Sequence, residues 1–318
     1  MRVILIGGSG FIGTVLADRL LAAGHEVTIV DKAESRRHPG HWVRADVREP
    51  ESLTEACRGG DVLYNLAAEH RDDVRPPSLY QEVNVGGAGN VCRAAERLGI
   101  ERLVFTSSVA VYGFTEEEAD ETAPTRPFNE YGRTKLEAEG VYGAWQAASP
   151  RRALVTVRPT VVFGPGNRGN VYNLLRQVVR TGPVVIGSGR NRKSMAHVEN
   201  VAAFLEWCLR LPPGRHLFNY ADKPDLEMRE LVSMVHARLG GSGSVRRIPY
   251  AAALGLGAAA EVVSRLTGRS LPLSRVRVRK FAANTQFSAG RALTAGFAPP
   301  ISLKDALART VEAEFTQP

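Results

Sequence analysis

The feature that most constrains this chain is Gly7-Gly8-Ser9-Gly10-Phe11-Ile12-Gly13, placed between the apolar run Val3-Ile4-Leu5-Ile6 and the helical pattern Thr14-Val15-Leu16-Ala17-Asp18-Arg19-Leu20-Leu21. Strand, tight turn and helix in that order form the opening of a parallel α/β sheet, with the glycines at the crossing. Gly7 permits the turn, Gly10 lets a backbone approach a pyrophosphate, and Gly13 allows close packing of the helix. Phe11 and Ile12 then lie beside the anion at the helix N-terminus. A second strand, Glu26-Val27-Thr28-Ile29-Val30, ends in Asp31, an acid placed to bind the hydroxyls of an adenosine ribose. The motif therefore predicts a dinucleotide cradle. Asp31 repels a 2′-phosphate, whereas Lys32, Arg36 and Arg37 attract one, so the residues favour NAD and leave NADP open. Asp46-Val47, after a short strand candidate at Trp42-Val43, suits the adenine end, with a helix cap before Pro50 as the alternative.

About 120 residues further on lies Tyr131-Gly132-Arg133-Thr134-Lys135. With 8 Tyr and 6 Lys in 318 residues, a Tyr-x-x-x-Lys is expected by accident only about 0.15 times. Four-residue spacing puts both side chains on one helical face, where an ammonium lowers the phenol pKa from about 10 toward the working range of a general acid or base. A surface Tyr and Lys is the plain alternative. Ser108 joins them at the carboxyl end of the strand candidate Leu103-Val104-Phe105-Thr106, where open parallel sheets bind their ligands.

With these motifs in order, the chain resembles the extended short-chain dehydrogenase/reductases of the nucleotide-sugar epimerase and dehydratase group. Asn65-Leu66-Ala67-Ala68 ends the fourth strand beside the cofactor, Val83-Asn84-Val85 supplies the central helix asparagine, and Arg158-Pro159-Thr160 leads from the sheet toward the substrate region. The resemblance implies that Tyr131 exchanges the proton of a sugar hydroxyl, that Lys135 lowers its pKa and binds the nicotinamide ribose, and that Ser108 hydrogen-bonds the same sugar oxygen. Leu66, Ala67, Ala68, Asn84 and Pro159 are expected around the cofactor. The family's dehydratases carry an Asp-Glu pair after the serine; Val109 and Ala110 stand there, which disfavours dehydration and leaves carbon-4 epimerisation or reduction of a keto-sugar. Asn170, Lys193, Arg277 and Arg279 are the candidate contacts to a UDP-sugar, although the alternating Arg277-Val278-Arg279 also reads as the solvated face of a strand. The stretches Glu69-His70-Arg71-Asp72-Asp73-Val74-Arg75, Gly166–Asn170 and Lys280–Phe287 resemble bacterial enzymes of O-antigen sugar synthesis, which tilts the expectation to a 4-ketoreductase, with a 4-epimerase as the alternative. A cofactor sensor without chemistry and an enzyme of apolar alcohols are further rivals.

The expected fold is α/β: a Rossmann, doubly wound parallel sheet over residues 1–165 with 195–223 returning to it, and a smaller discontinuous substrate domain from 166–194 and 224–318. Cys57, Cys92 and Cys208 fit neither a disulfide framework nor a zinc site, so no metal and a cytoplasmic setting are expected. The N-terminal strand leaves no signal peptide. Net charge is +8, without a nucleic-acid motif, and a sugar nucleotide and a pyrophosphate suffice as acidic partners. The apolar stretch from Tyr250 to Val263 falls short of the ~20 residues that span a bilayer and reads as a helix of the substrate region, so no membrane partner is expected. Dimerisation through the helices holding Asn84 and Tyr131 is implied by the resemblance alone.

Overall fold

A computed structural model describes residues 1–71, 74–115, 117–267 and 274–316; the side chains of residues 262, 265–267, 277 and 280 fall outside the description. Asp72, Asp73 and the Arg277 side chain, singled out above, therefore lie outside the described residues.

The strands, in chain order, are β1 (Arg2–Ile6), β2 (Glu26–Asp31), β3 (Trp42–Arg44), β4 (Val62–Asn65), β5 (Arg102–Thr106), β6 (Ala153–Pro159), β7 (Val161–Phe163), β8 (Val184–Ile186), β9 (Met195–His197), β10 (Gly214–Tyr220) and β11 (Arg246–Ile248). Seven of them form one parallel sheet in the order β10-β6-β5-β4-β1-β2-β3, the Rossmann doubly wound arrangement. Such a sheet is covered on both faces, so its central strands read as unbroken buried runs; every residue of β6 is buried, Arg158 included. The order reverses between β1 and β4. Register places Ile6 opposite both Val30 and Asn65, so Gly7, Asp31 and Leu66 emerge side by side at the carboxyl edge.

One face is covered by α1 (Phe11–Ala22) and, later in the chain, by Val198–Trp207. Its core contains Leu16, Leu20 and Phe204, the last stacked on Tyr220 at 4.9 Å. The opposite face is covered by α2 (Pro50–Ala56), by α3 (Ser78–Tyr80) running through the π-helical Gln81–Gly86 into α4 (Gly87–Leu98), and by α5 (Glu130–Ala147). Buried Ala88, Val91, Cys92 and Ala95 recur at helical spacing along α4 and share a core with Tyr142 and Trp145 of α5. A separate apolar cluster joins α6 (Asn170–Thr181), α8 (Met228–Arg238), α10 (Arg275–Ala282) and α12 (Leu303–Val311), with Leu175, Leu231, Val235 and Leu307 among its buried members and Phe281 packed against it, whereas α7 (Val198–Trp207, the helix already met) and α11 (Gly290–Thr294) belong to the first core and α9 (Tyr250–Thr267) packs on α10. β7 pairs with β9 and β8 with β11 in two small parallel ladders.

In β9, His197 is 1% exposed and neither ring nitrogen has a hydrogen-bond partner among the described residues. Burial pushes its pKa down to about 4, with Arg309 adding to the shift. Because the unfolded imidazole binds its proton near pH 6.5, this residue destabilises the fold progressively as pH falls from 6.5 toward 4, by up to about 1.4 kcal/mol per pH unit. Asp222, whose carboxylate accepts from the His197 amide at 2.7 Å, is pushed up to about 6 by burial and acts in the opposite sense over much of that window. The His197 contribution therefore lies in a difference between proteins: His197→Phe is expected to gain stability relative to the wild type as pH is lowered from 6.5 to 4, measured by urea unfolding across that range.

Candidate active site

The carboxyl edge of the sheet opens into a cleft of about 740 Å³, in the size range of small-molecule sites. Its floor is the loop between β1 and α1. Gly7 has φ +77° and donates its amide to the Val30 carbonyl at 2.8 Å; a Cβ there would stand 2.4 Å from the Ala67 amide nitrogen. A Cβ on Gly13 would lie 2.6 Å from the Gly8 backbone, so the first turn of α1 sits directly on the loop. No side chain caps α1 at Gly10, and its first amides face the cleft with Phe11, Ile12 and Gly13 in the lining. Asp31 organises the same loop: one carboxylate oxygen accepts from the Ser9 amide at 3.1 Å and the other from the Ala33 amide at 3.0 Å. Arg37, one of the cations that would draw a 2′-phosphate, is paired instead with Asp18 at 2.9 Å.

Lys32, Asp46, Val47, Leu66, Ala67, Ala68 and Pro159 also line the cleft. Arg48 bonded to Asp46 holds that carboxyl below its usual range, against the opposing effect of burial. Asn84 does not line it. Its amide is consumed inside the fold, accepting from the Glu69 amide at 2.9 Å and donating to the Glu69 carbonyl and to Thr134 Oγ1 at 3.1 and 2.9 Å. Asn84 thus ties the loop after β4 to α5.

Ser108, Tyr131 and Lys135 meet in the cleft. Asn129 caps α5 by accepting from the Gly132 amide at 2.9 Å, which fixes the first turn and with it Tyr131. Ser108 caps the 3₁₀ turn Val109–Tyr112, accepting from the Ala110 amide at 3.2 Å. Burial raises the Tyr131 phenol above its ordinary pKa, and a hydrogen bond with Ser108 opposes the shift. The Lys135 ammonium donates to the Thr106 carbonyl at 2.7 Å and lies 4.7 Å from the Phe105 ring centre. Burial lowers Lys135 to about 7, with Glu139 opposing.

Behind this group runs a buried polar chain. Glu139 accepts from Ser107 Oγ at 2.6 Å and from Arg158 at 2.8 and 2.6 Å; Arg158 donates on to the Tyr112 hydroxyl at 2.7 Å, and Tyr112 to Asn219 Oδ1 at 2.7 Å. The two charged side chains are only 5% and 6% exposed.

Among the proposed sugar contacts, Ser108 and Asn170 line the cleft, whereas Lys193 and Arg279 are not among the described residues that line it. Lys193 donates to the Ala283 carbonyl at 3.2 Å; it bridges to Thr285, itself a wall residue, so it stands behind the wall. Arg279 is exposed on a helix, not a strand. Ser107, Phe128, Asn129, Val162, Asn167 and Phe287 line the cleft without having been singled out as contacts. Asn129, a cap residue two positions before Tyr131, carried a local signal; the others did not.

Residues 3–219 match the NAD dependent epimerase/dehydratase family, and the chain belongs to that family. It is an NAD-dependent enzyme of the extended short-chain dehydrogenase/reductase type, and the glycine loop, uncapped helix start and Asp31 fit that cofactor. The chain is 43% identical over 316 residues to an N-acetyl-α-D-glucosaminyl-diphospho-ditrans,octacis-undecaprenol 4-epimerase of Escherichia coli O157:H7, covering 99% of this chain and 95% of that protein. It is 26% identical over 330 residues to UDP-glucose 4-epimerase of Vibrio cholerae, covering 98% and 94%. In fold it is similar to the Thermus thermophilus UDP-glucose 4-epimerase in complex with NAD, with a TM-score of 0.75 at 24% identity and 98% of both chains covered.

Gly7→Ala is expected to weaken NAD binding about tenfold or more, since the new methyl meets backbone in a left-handed conformation; calorimetric titration of the purified variant checks it. Arg158→Met leaves Glu139 buried and unpaired and is expected to cost about 3–5 kcal/mol in urea unfolding, much of which the double variant with Glu139→Leu recovers.

Proposed function

We propose that the protein is an NAD-dependent 4-epimerase of an N-acetylhexosamine carried on a polyprenyl diphosphate. The observation that carries this reading is the 43% identity to the Escherichia coli undecaprenyl-diphosphate-linked epimerase across nearly the whole of both chains. It turns the balance from reduction of a 4-keto sugar, favoured from sequence, to epimerisation. The same residues serve a UDP-linked hexose, the substrate named for the Vibrio cholerae relative, because the hexosyl diphosphate is common to both.

Bound NAD supplies a hydride acceptor that can give the hydride back. Tyr131 takes the proton of the 4-hydroxyl as the hydride leaves carbon 4, and returns it once the 4-keto sugar has presented its other face. Ser108 orients the oxygen. In the ligand-free site burial raises the phenol and lowers Lys135 to about 7, so taking the proton in the first step would need a positive charge brought into the cleft with the bound cofactor to favour the phenolate. Val109 and Ala110, where the dehydratases carry an acid pair, offer no group to expel water.

The test is to incubate protein and NAD with undecaprenyl-diphospho-N-acetylglucosamine and, separately, with UDP-N-acetylglucosamine. Interconversion of the gluco and galacto sugars without net cofactor consumption is expected on the lipid-linked substrate, and Tyr131→Phe is expected to lower it by at least about 10²-fold while NAD still binds. Stoichiometric oxidation of NADH by a 4-keto sugar, with no epimer formed, would restore the reductase reading.

A further inference from the structure

The chain's positive charge is concentrated in one segment. Residues 246–280 hold eight basic residues against the single acid Glu261, which is net +7 of the chain's +8; elsewhere the 33 basic and 32 acidic residues balance. The acid is itself spent inside the segment: Glu261 accepts from the Arg275 amide and guanidinium, both at 2.9 Å. That pair, and Gly257, whose added Cβ would touch the Ser274–Arg275 backbone at 2.9–3.0 Å, lock α9 and α10 into a hairpin.

The exposed face of this hairpin is apolar as well as basic. Along α9, Ala253 and Gly257 are buried, while Ala252, Leu256, Ala259 and Val263, spaced by four, three and four, share the opposite, exposed face. From Tyr250 to Ala260 the helix contains no charged residue, so its outward stripe lacks the polar groups that a water-facing helix presents. Of eleven large hydrophobic residues exposed among the described residues, four belong to this hairpin: Tyr250 at 41%, Leu256 at 57%, Val263 at 46% and Val276 at 58%. Arg246, Arg247, Arg275 and Arg279 are exposed around them. α10 is anchored inward by buried Val278 and by Phe281, and three residues after its end Thr285 enters the wall of the cleft.

We propose that the α9–α10 hairpin docks the protein on the surface of an anionic lipid bilayer. Apolar side chains at helical spacing within a strongly basic rim match the chemistry of an acyl boundary beneath acidic headgroups, and arginine stems keep their charge at headgroup level. Among the described residues no helix is long and apolar enough to cross a membrane, so the hairpin lies on the bilayer. The proposal rests on the lipid-linked substrate argued above: docking brings the cleft wall to the depth at which a sugar diphosphate leaves its polyprenyl anchor.

The experiment is co-sedimentation of the full chain, without substrate, with vesicles of phosphatidylcholine alone and of phosphatidylcholine with about 30% phosphatidylglycerol. Wild-type protein is expected to pellet with the anionic vesicles. Binding should fall about tenfold in raised salt, in Leu256→Glu and in Arg247→Glu, with the thermal transitions of both variants unchanged because both positions are exposed. No wild-type binding, or equal binding by the variants, would overturn the proposal. So would a dimer that Leu256→Glu dissolves in the absence of vesicle binding, which would give this face to a second copy. Turnover of a detergent-dispersed polyprenyl substrate is measured alongside: turnover without vesicle binding removes the docking alone, whereas vesicle binding without turnover leaves the docking and removes the substrate assignment.

Discussion

Much of the site hangs on one buried ion pair. Arg158 lies near the carboxyl end of β6, one strand in from the sheet edge, and Glu139 on α5, so their paired hydrogen bonds tie that helix to the strand. Burying two charges is costly and is repaid only when nearly every donor and acceptor is used. Here Ser107 fills the remaining need of Glu139, and Tyr112 that of Arg158. Since Lys135 and Tyr131 stand one and two turns up the same helix, the pair sets their height above the sheet edge. Replacing it with hydrocarbon would keep a core but leave that height to looser packing forces.

The register of three neighbouring strands has a comparable effect at the cofactor end. Gly7, Asp31 and Leu66 come from distant parts of the chain, yet parallel pairing brings them to one level. Asp31 then holds the glycine loop through the Ser9 amide on one carboxylate oxygen, while the other accepts from the Ala33 amide of its own loop. The acid expected to meet an adenosine ribose is thus also a structural part of the cradle.

What was legible in the sequence was what local spacing encodes. A strand, a glycine turn and a helix are contiguous, Tyr131 and Lys135 are one helical turn apart, and the unbroken apolar runs announce a sheet covered on both sides. The direction in which a cation points is not local. Lys193 and Arg279 sit in segments of the right composition, but packing turns one toward a backbone carbonyl behind the wall and leaves the other in solvent. The alternation Arg275-Val276-Arg277-Val278-Arg279 has a period of two and suggests a strand, but the segment is a helix, with Val278 buried and Phe281, three residues on, packed against the apolar cluster. Asn84 was recognisable as a polar residue of a central helix, but whether it met ligand or protein depended on where the loop after β4 ran.

Glu314 accepts from the Gly166 amide at 2.6 Å and pairs with Arg168, while Phe315 stacks on Tyr172 at 5.3 Å, so the loop whose Asn167 and Asn170 line the cleft is held by a segment 148 residues further along. During synthesis the cradle and the proton-transfer residues can take shape long before that segment exists. The opposite wall cannot. A ribosome-bound chain would therefore present a formed cofactor edge and an unfinished sugar side, and the two halves of the cleft would acquire their affinities at different times.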